Sequence, residues 1–262
     1  MNIFVWYGSG GVLLALTLVA GFFFVFTRGT LLVRELLGRH TSSSHVYPMY
    51  SDMWLIRLVD HQPLIAAILL FQYRRMVSRI GQVLASSLEK NQTVMFTSCA
   101  FGNVVPRLVE ASATAQAGRI LVTDLIDNEL THVRSKLGPF ADRVEYLQND
   151  ATNSNLPDSS VSANILFFLL HELPHPLKAR ALDEAARVLQ TGGSLYIAEF
   201  HRPRLWALRV LSYLYFKVFE PYGLALWDQE DPQRYLNQKG RWSFSRSTYL
   251  FSNYQVLVAT KL

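Results

Sequence analysis

The hydrophobic pattern divides the chain into three stretches. Residues Ile3 to Thr27 carry no charge, and 12–26 is almost wholly apolar. As a helix, a stretch of this length spans about 35 Å at ~1.5 Å per residue, enough to cross a hydrocarbon core of about 30 Å. Trp6 and Tyr7 stand at one end, where amphipathic rings settle at headgroup level. A soluble helix this long would show a polar face, and none is visible. A second apolar region, Met53 to Phe71, is interrupted by Arg57, Asp60, His61 and Pro63, and Tyr73, Arg74, Arg75 and Arg79 follow it. Pro63 can open a helix, so 64–77 is read as amphipathic, lying on a bilayer, capping a site, or packing on the main domain.

From Gln92 onward, short apolar runs alternate with longer amphipathic ones. Strands are expected at 93–97, 119–123, 144–148, 163–169 and 194–198, and helices at 104–115, 128–137 and 177–189. Tyr249 to Lys261 reads as one or two late strands that pair antiparallel at a sheet edge. Strands alternating with helices imply a mostly parallel sheet covered on both faces. Three regions follow: a transmembrane anchor at 1–28, a linker and amphipathic helices at 29–91 with a loop-like segment at 40–45, and an α/β domain at 92–262 carrying a substrate cap at 203–245. His40 and His45 bracket that loop-like segment, where a solvated linker outweighs metal binding.

Charge and composition narrow the picture. The chain has 262 residues, 50% of them apolar, a net charge of +5 and one cysteine, Cys99. No intramolecular disulfide can form, and a reducing compartment is the simple inference. No run of five or more Lys/Arg occurs, so nucleic acid is not the expected partner. Arg28, Arg34 and Arg39 follow the apolar stretch and no Lys or Arg precedes it. The positive-inside rule then places the body on the cytoplasmic or matrix side of an inner membrane, single-pass. A cleaved signal peptide is the alternative, but it would want a basic start and a small-residue cleavage site.

In an open parallel sheet the ligand lies beyond the carboxyl ends of the strands. That singles out Cys99, Asp124, Asp150, His171 and Glu199. Asp124 ends the second strand, where an acid can accept hydrogen bonds from both ribose hydroxyls, and Leu125 follows it. Asp150, followed by Ala151, ends the third, where an acid commonly accepts from an adenine amino group; a helix cap is the plainer role for either. The loop Ser98 to Asn103 has a single glycine, Gly102, where a nucleotide loop usually has two or three. Cys99, Ala100 and Gly102 are its cofactor candidates, and Phe101 adds bulk. The spacing as a whole is the layout of the Rossmann-like class I methyltransferase fold, whose cofactor is S-adenosylmethionine.

The residues above the sheet supply candidate chemistry. His171 beside Glu172, with His201, can move protons near neutral pH. His171, Glu172 and Glu199 are also candidates to hold a divalent metal. Arg202 can meet a carboxylate or a quinone carbonyl. Phe167, Tyr222 and Trp227 belong to an aromatic set suited to a flat, greasy ring, and 205–227 suits an isoprenoid tail or a lid helix.

Several pieces together resemble the rhodoquinone-biosynthesis proteins known as RquA. They are 72–75, Cys99 to Gly102 with 106–108, Asp124, Asp150-Ala151, Phe167 to Glu172, 201–203, Glu220 to Trp227 and Tyr249 to Lys261. The resemblance covers about residues 45 to 262. It implies conversion of ubiquinone to rhodoquinone, a ring methoxy group being replaced by an amino group, with S-adenosylmethionine as amino donor and manganese assisting. Asn103 and Ser162 depart from the acids that family shows. Two other functions fit the same residues: a conventional S-adenosylmethionine-dependent methyltransferase acting on a quinone or other lipid, and a non-catalytic membrane accessory protein. The partners expected are a lipid quinone and membrane lipid.

Overall fold

The computed structural model describes residues 48–99 and 101–262, with scattered positions between 17 and 37. The expected anchor at 1–28, the 40–45 segment and Ala100 therefore lie largely or wholly outside the described residues. No helix among the described residues is long and apolar enough to cross a membrane.

After a helical turn at Pro48–Ser51, the chain forms α1 (Met53–Val59), α2 (Gln62–Ile68) and α3 (Tyr73–Ser87). The sheet elements follow as β1 (Thr93–Thr97), α4 (Val104–Thr114), β2 (Arg119–Asp124), α5 (Asp127–Lys136), β3 (Glu145–Gln148), β4 (Val161–Phe167), α6 (His175–Val188) and β5 (Leu189–Phe200). Then come α7 (Trp206–Val218), α8 (Pro232–Lys239), β6 (Trp242–Tyr249) and β7 (Tyr254–Lys261). The seven strands lie in the order β3-β2-β1-β4-β5-β7-β6. The first five are parallel, and β7 pairs antiparallel with both β5 and β6.

Period-2 alternation sorts the strand side chains to two faces. Val94, Phe96, Ile120, Val122, Ile165 and Tyr196 pack beneath α3, α4 and α5. Met95, Leu121, Leu166, Leu195 and Ile197 pack against α6 and α8. Both faces are covered, so every central strand is apolar on both sides, and β4 is buried along its whole length.

Several boundaries differ from the sequence expectation; the fifth strand, for one, begins at Leu189 and not at 194. The helix read across 64–77 is two helices, because Leu70 and Phe71 take positive φ (47° and 59°) and break it. Its second half belongs to α3, a packing helix that buries Tyr73, Met76, Val77, Ile80 and Leu84. The fourth strand stops at Phe167, since Phe168 (φ 53°) turns the chain into the short helical turn Leu170–Glu172. Within the stretch expected as a cap, 203–245, the chain has joined the sheet edge as β6 from Trp242.

Candidate active site

A cavity of about 520 Å³ opens beyond the carboxyl ends of β1, β2 and β4. Its floor holds Ser98, Cys99, Asp124, Asp150 and Ala151; Phe167, His171 and Glu172 form one wall. Ile65, Leu69 and Tyr73 close it from the N-terminal helices, and Tyr215, Phe219 and Glu220 from the end of α7 and the residues after it.

Asp124 is fixed by its own backbone surroundings. Cys99 N donates to its Oδ2 (2.7 Å) and Ile126 N to its Oδ1 (2.9 Å). Burial pushes its carboxyl above the usual range, against those N–H donors. The Ser98 and Cys99 side chains also donate to this carboxylate, which borders the cavity. Asp150 lies two residues past β3, its Oδ1 accepting from Thr152 N and Oγ1 (2.7 and 2.8 Å), and it borders the same cavity. Leu125 lies there too.

The single-glycine loop is held from outside. Gly102 (φ +77°) could not be another residue without strain, since a Cβ would sit 2.6 Å from Tyr73 Oη. Its N–H donates to Asp60 Oδ1, and Asn103 N donates to Gln62 Oε1 (3.1 Å). Asp60 also receives His132 Nε2 (2.6 Å) and Lys136 Nζ (2.5 Å). Despite burial, which works the other way, Lys136 and these donors hold its carboxyl below the ordinary value. Gly102 itself does not line the cavity; Phe101 does, stacked on Tyr50 with ring centroids 5.2 Å apart.

His171 sits at the inner end, edge-on to Phe168 and Phe200. Its Nδ1 lies 3.1 Å from Glu199 Oε1, and its N–H donates to Glu199 Oε2 (3.2 Å). Burial alone would lower the imidazole, but Glu199, with Glu172 and Glu220, outweighs it and raises His171 to about 9. Its Nε2 lies 3.9 Å from Glu172 Oε1, which also accepts from Tyr50 Oη (2.5 Å). Burial lifts Glu172 to about 8, against the pull of His171. Glu199 is wholly buried behind His171 and does not line the cavity.

Four residues expected at the site lie elsewhere. After β5 the chain turns toward the β6–β7 hairpin, where His201 N donates to Asn253 O and Arg204 N to Phe251 O. His201 is therefore held by Ser252 O and Arg246, away from the cavity. Arg202 is exposed and paired with Asp228 at 2.8 Å. Tyr222 offers its carbonyl to Lys178 Nζ, and Trp227 packs on Phe216, outside the cavity. Among the described residues no group of three His, Cys, Asp or Glu side chains is arranged to hold a metal ion. At the expected metal set, His171 Nδ1 is already engaged by Glu199.

Sequence inspection missed Tyr50, Asp60, Gln62, Tyr73 and Glu129. The first four reach the site through long-range packing of the N-terminal helices, which no local pattern encodes. Glu129 left a trace: an acid beside Leu130 and one turn before Val133, both buried on α5.

The chemistry of the donors fits a nucleoside sulfonium. Asp124, Glu129, Asp150, Glu172 and Glu220 border the cavity, against His171 and Arg180 alone among the described residues. Such a surplus of carboxyls suits a ligand with a net positive charge. Two of them stand at adjacent strand ends, where ribose hydroxyls and an adenine amino group would be met.

Comparison with known proteins points the same way. The ubiE/COQ5 methyltransferase family matches residues 60–248. The ubiquinone/menaquinone biosynthesis C-methyltransferase UbiE of Salmonella arizonae is 27% identical over 159 residues, covering 60% of this chain and 62% of that protein. A demethylmenaquinone methyltransferase of Clavibacter sepedonicus is 33% identical over 111 residues, 42% of this chain and 44% of that one. The chain thus spans less than two thirds of the length of these relatives. Among solved structures, an O-methyltransferase family protein from Burkholderia thailandensis superposes with a TM-score of 0.58 at 15% identity, over 76% of this chain and 59% of that one. The N-methyltransferase NodS of Bradyrhizobium japonicum, in complex with S-adenosyl-L-homocysteine, gives 0.51 at 12% identity, over 72% and 85%. These two likenesses establish the Rossmann-like class I methyltransferase fold, and the match over 60–248 establishes the lineage: the chain belongs to the ubiE/COQ5 methyltransferase family.

Proposed function

We propose that this chain is an enzyme that uses S-adenosylmethionine to methylate a ring carbon of a lipid quinone in its reduced, hydroxyl-bearing form. The observation that carries this is one cavity with two carboxylates at adjacent strand ends and a His–Glu pair at the other end. S-adenosylmethionine, when bound, supplies an electrophilic methyl group on its sulfonium. Asp124 and Asp150 hold its ribose and adenine ends, with Cys99, Leu125 and Ala151 beside them. Glu172, its Oε1 steadied by Tyr50, takes the proton of the ring hydroxyl, so that the adjacent ring carbon can take the methyl group as S-adenosylhomocysteine leaves; the proton on that carbon is then lost to solvent as the ring regains aromaticity, and Glu172 returns its own to the ring oxygen. The His171 imidazolium, its Nδ1 proton turned back to Glu199, faces the ring oxygen left negative. Phe167, Phe168 and Phe200 supply the apolar wall and exclude water.

The partner surface fits a lipid-borne substrate. Trp206, Val210, Leu214 and Val218 repeat every four residues on the exposed face of α7, with Leu211 and Tyr213 beside them. The inner face of α7 ends at the cavity through Tyr215 and Phe219. At the end of α2, Ile68, Leu70 and Phe71 are likewise exposed, and Ile68 borders the cavity. Arg74, Arg75, Arg204 and Lys217 lie exposed beside these side chains. Apolar side chains flanked by cations suit an anionic bilayer surface, here the cytoplasmic or matrix face of an inner membrane.

A second chemistry, replacement of a ring methoxy group by an amino group as in rhodoquinone biosynthesis, is favoured by one observation. Phe167, Phe168, Leu169, His171, Glu172 and Glu220, in the motifs that carry the RquA resemblance, supply much of the cavity wall. The side chains expected to hold manganese, His171, Glu172 and Glu199, are engaged with one another. One experiment separates the two. The full chain is incubated with reduced ubiquinone or a demethylated precursor in vesicles and S-adenosylmethionine labelled in both methyl carbon and amino nitrogen. Methyl label in the quinone is the expected result, nitrogen label selects amination, and no label in any quinone refutes both.

A further inference from the structure

In the loop before α4, the backbone groups nearest the helix are already engaged. The N–H groups of Gly102 and Asn103 are taken by Asp60 and Gln62, the Gly102 carbonyl by Lys136 Nζ (2.9 Å), and the Phe101 carbonyl by Tyr73 Oη (3.5 Å). A helix start of this kind is where a charged tail would otherwise be met. The amino-acid arm of S-adenosylmethionine, which carries an ammonium and a carboxylate, would find those four groups already engaged.

One side chain is suited to the ammonium. Glu129 on α5 lines the cavity, is only 3% exposed, and its Oε1 has no hydrogen-bond partner. Among the buried side chains of the described residues that carry such an orphaned polar atom, Glu129 alone borders the cavity. A buried carboxylate oxygen without a donor is costly until something supplies one. Asp124 lies within electrostatic reach of it, and so does Glu172. It shares the cavity with the strand end that would grip the ribose and with the groups that would handle the quinone ring. Burial and Asp124 push its carboxyl well above the usual range, so a cation arriving there would restore its charge.

We propose that Glu129 receives the α-ammonium of the cofactor's amino-acid arm, in place of the loop carbonyls that Lys136 and Tyr73 occupy. This rests on the S-adenosylmethionine assignment above. It makes Glu129 a binding residue specific to the amino-acid arm, distinct from the adenosine-binding Asp124 and Asp150.

Three ligands test it by calorimetry on the full chain, its fold checked by thermal melting. S-adenosylmethionine carries both sulfonium and ammonium, S-adenosylhomocysteine the ammonium only, and 5′-methylthioadenosine neither. In Glu129→Gln and Glu129→Met, the first two should bind roughly 10- to 100-fold more weakly, as expected for loss of a charge-assisted hydrogen bond. Methylthioadenosine should bind as it does to the unaltered chain. Weakening of S-adenosylmethionine alone would place Glu129 at the sulfonium and overturn the proposal. Equal weakening of all three ligands, or of none, would overturn it too while leaving the cofactor assignment intact. If the unaltered chain binds none of the three, the cofactor assignment falls and this inference with it.

Discussion

Glu199 does not touch the cavity, yet it decides what His171 can do there. With Nδ1 held 3.1 Å from that buried carboxylate, the imidazole stays protonated up to about pH 9. Glu172, lifted to about 8 by burial, must lose its proton before it can accept one from a ring hydroxyl. In the proposed reaction, turnover therefore needs Glu172 ionised and His171 protonated. kcat/KM should rise with pH toward about 8 and fall beyond about 9. Glu199→Gln should shift the alkaline limb to lower pH and reduce activity by roughly 10- to 100-fold. A flat pH–rate profile in the parent protein would remove this pair from the chemistry. The same pairing has a stability consequence. The folded value of His171 lies above its free value of 6.5, so its contribution is complete below pH 6.5 and is lost as pH rises through about 9.

At the scale of elements, α1, α2 and α5 act together as a clasp on the loop between β1 and α4. Asp60 follows α1, Gln62 opens α2, and His132 and Lys136 come from α5. Asp60→Ala would leave the Lys136 ammonium without its buried partner and free the Gly102 N–H. A loss of about 3–5 kcal/mol is expected, the usual cost of breaking a buried ion pair, and a denaturant titration would read it as a lower midpoint with unchanged slope. An unchanged midpoint would mean that the clasp contributes nothing to folding. This is also where the sequence was least informative. Asp60 appeared there only as an interruption of an apolar run, because its partners lie 42, 72 and 76 residues away. Asp124 was legible because a strand end and its acid are adjacent in sequence. His201 and Arg202 misled because the turn that carries them off depends on pairing with a hairpin some fifty residues later. Tyr222 and Trp227 misled for a related reason: their chemistry suits a ring, but their packing on Lys178 and Phe216 turns it elsewhere.

At the scale of the molecule, the alternating pattern from Gln92 gave the parallel sheet and its two covered faces, while the hairpin β6–β7 was only partly visible. Its turn runs through three consecutive positive φ values, Leu250, Phe251 and Ser252, with no glycine to mark it. What the whole molecule adds is a cavity flanked by exposed apolar side chains of α2 and α7. Replacing Trp206 and Leu214 together by Glu should weaken sedimentation with anionic vesicles several-fold, each buried apolar side chain being worth about 1.5–3 kcal/mol at most. Affinity for S-adenosylmethionine should not change. Unaltered vesicle binding would mean that α7 does not face lipid.

The central claim is that this cavity brings S-adenosylmethionine to a lipid quinone, and the quinones of the cell record the outcome. Mass spectrometry of quinones extracted from cells that make this chain, and from cells that make it with Asp124→Ala and His171→Ala, should show one quinone species dependent on the intact cavity. Its precursor, short of one methyl group, should accumulate in the altered cells. Identical quinone pools in both would contradict the account.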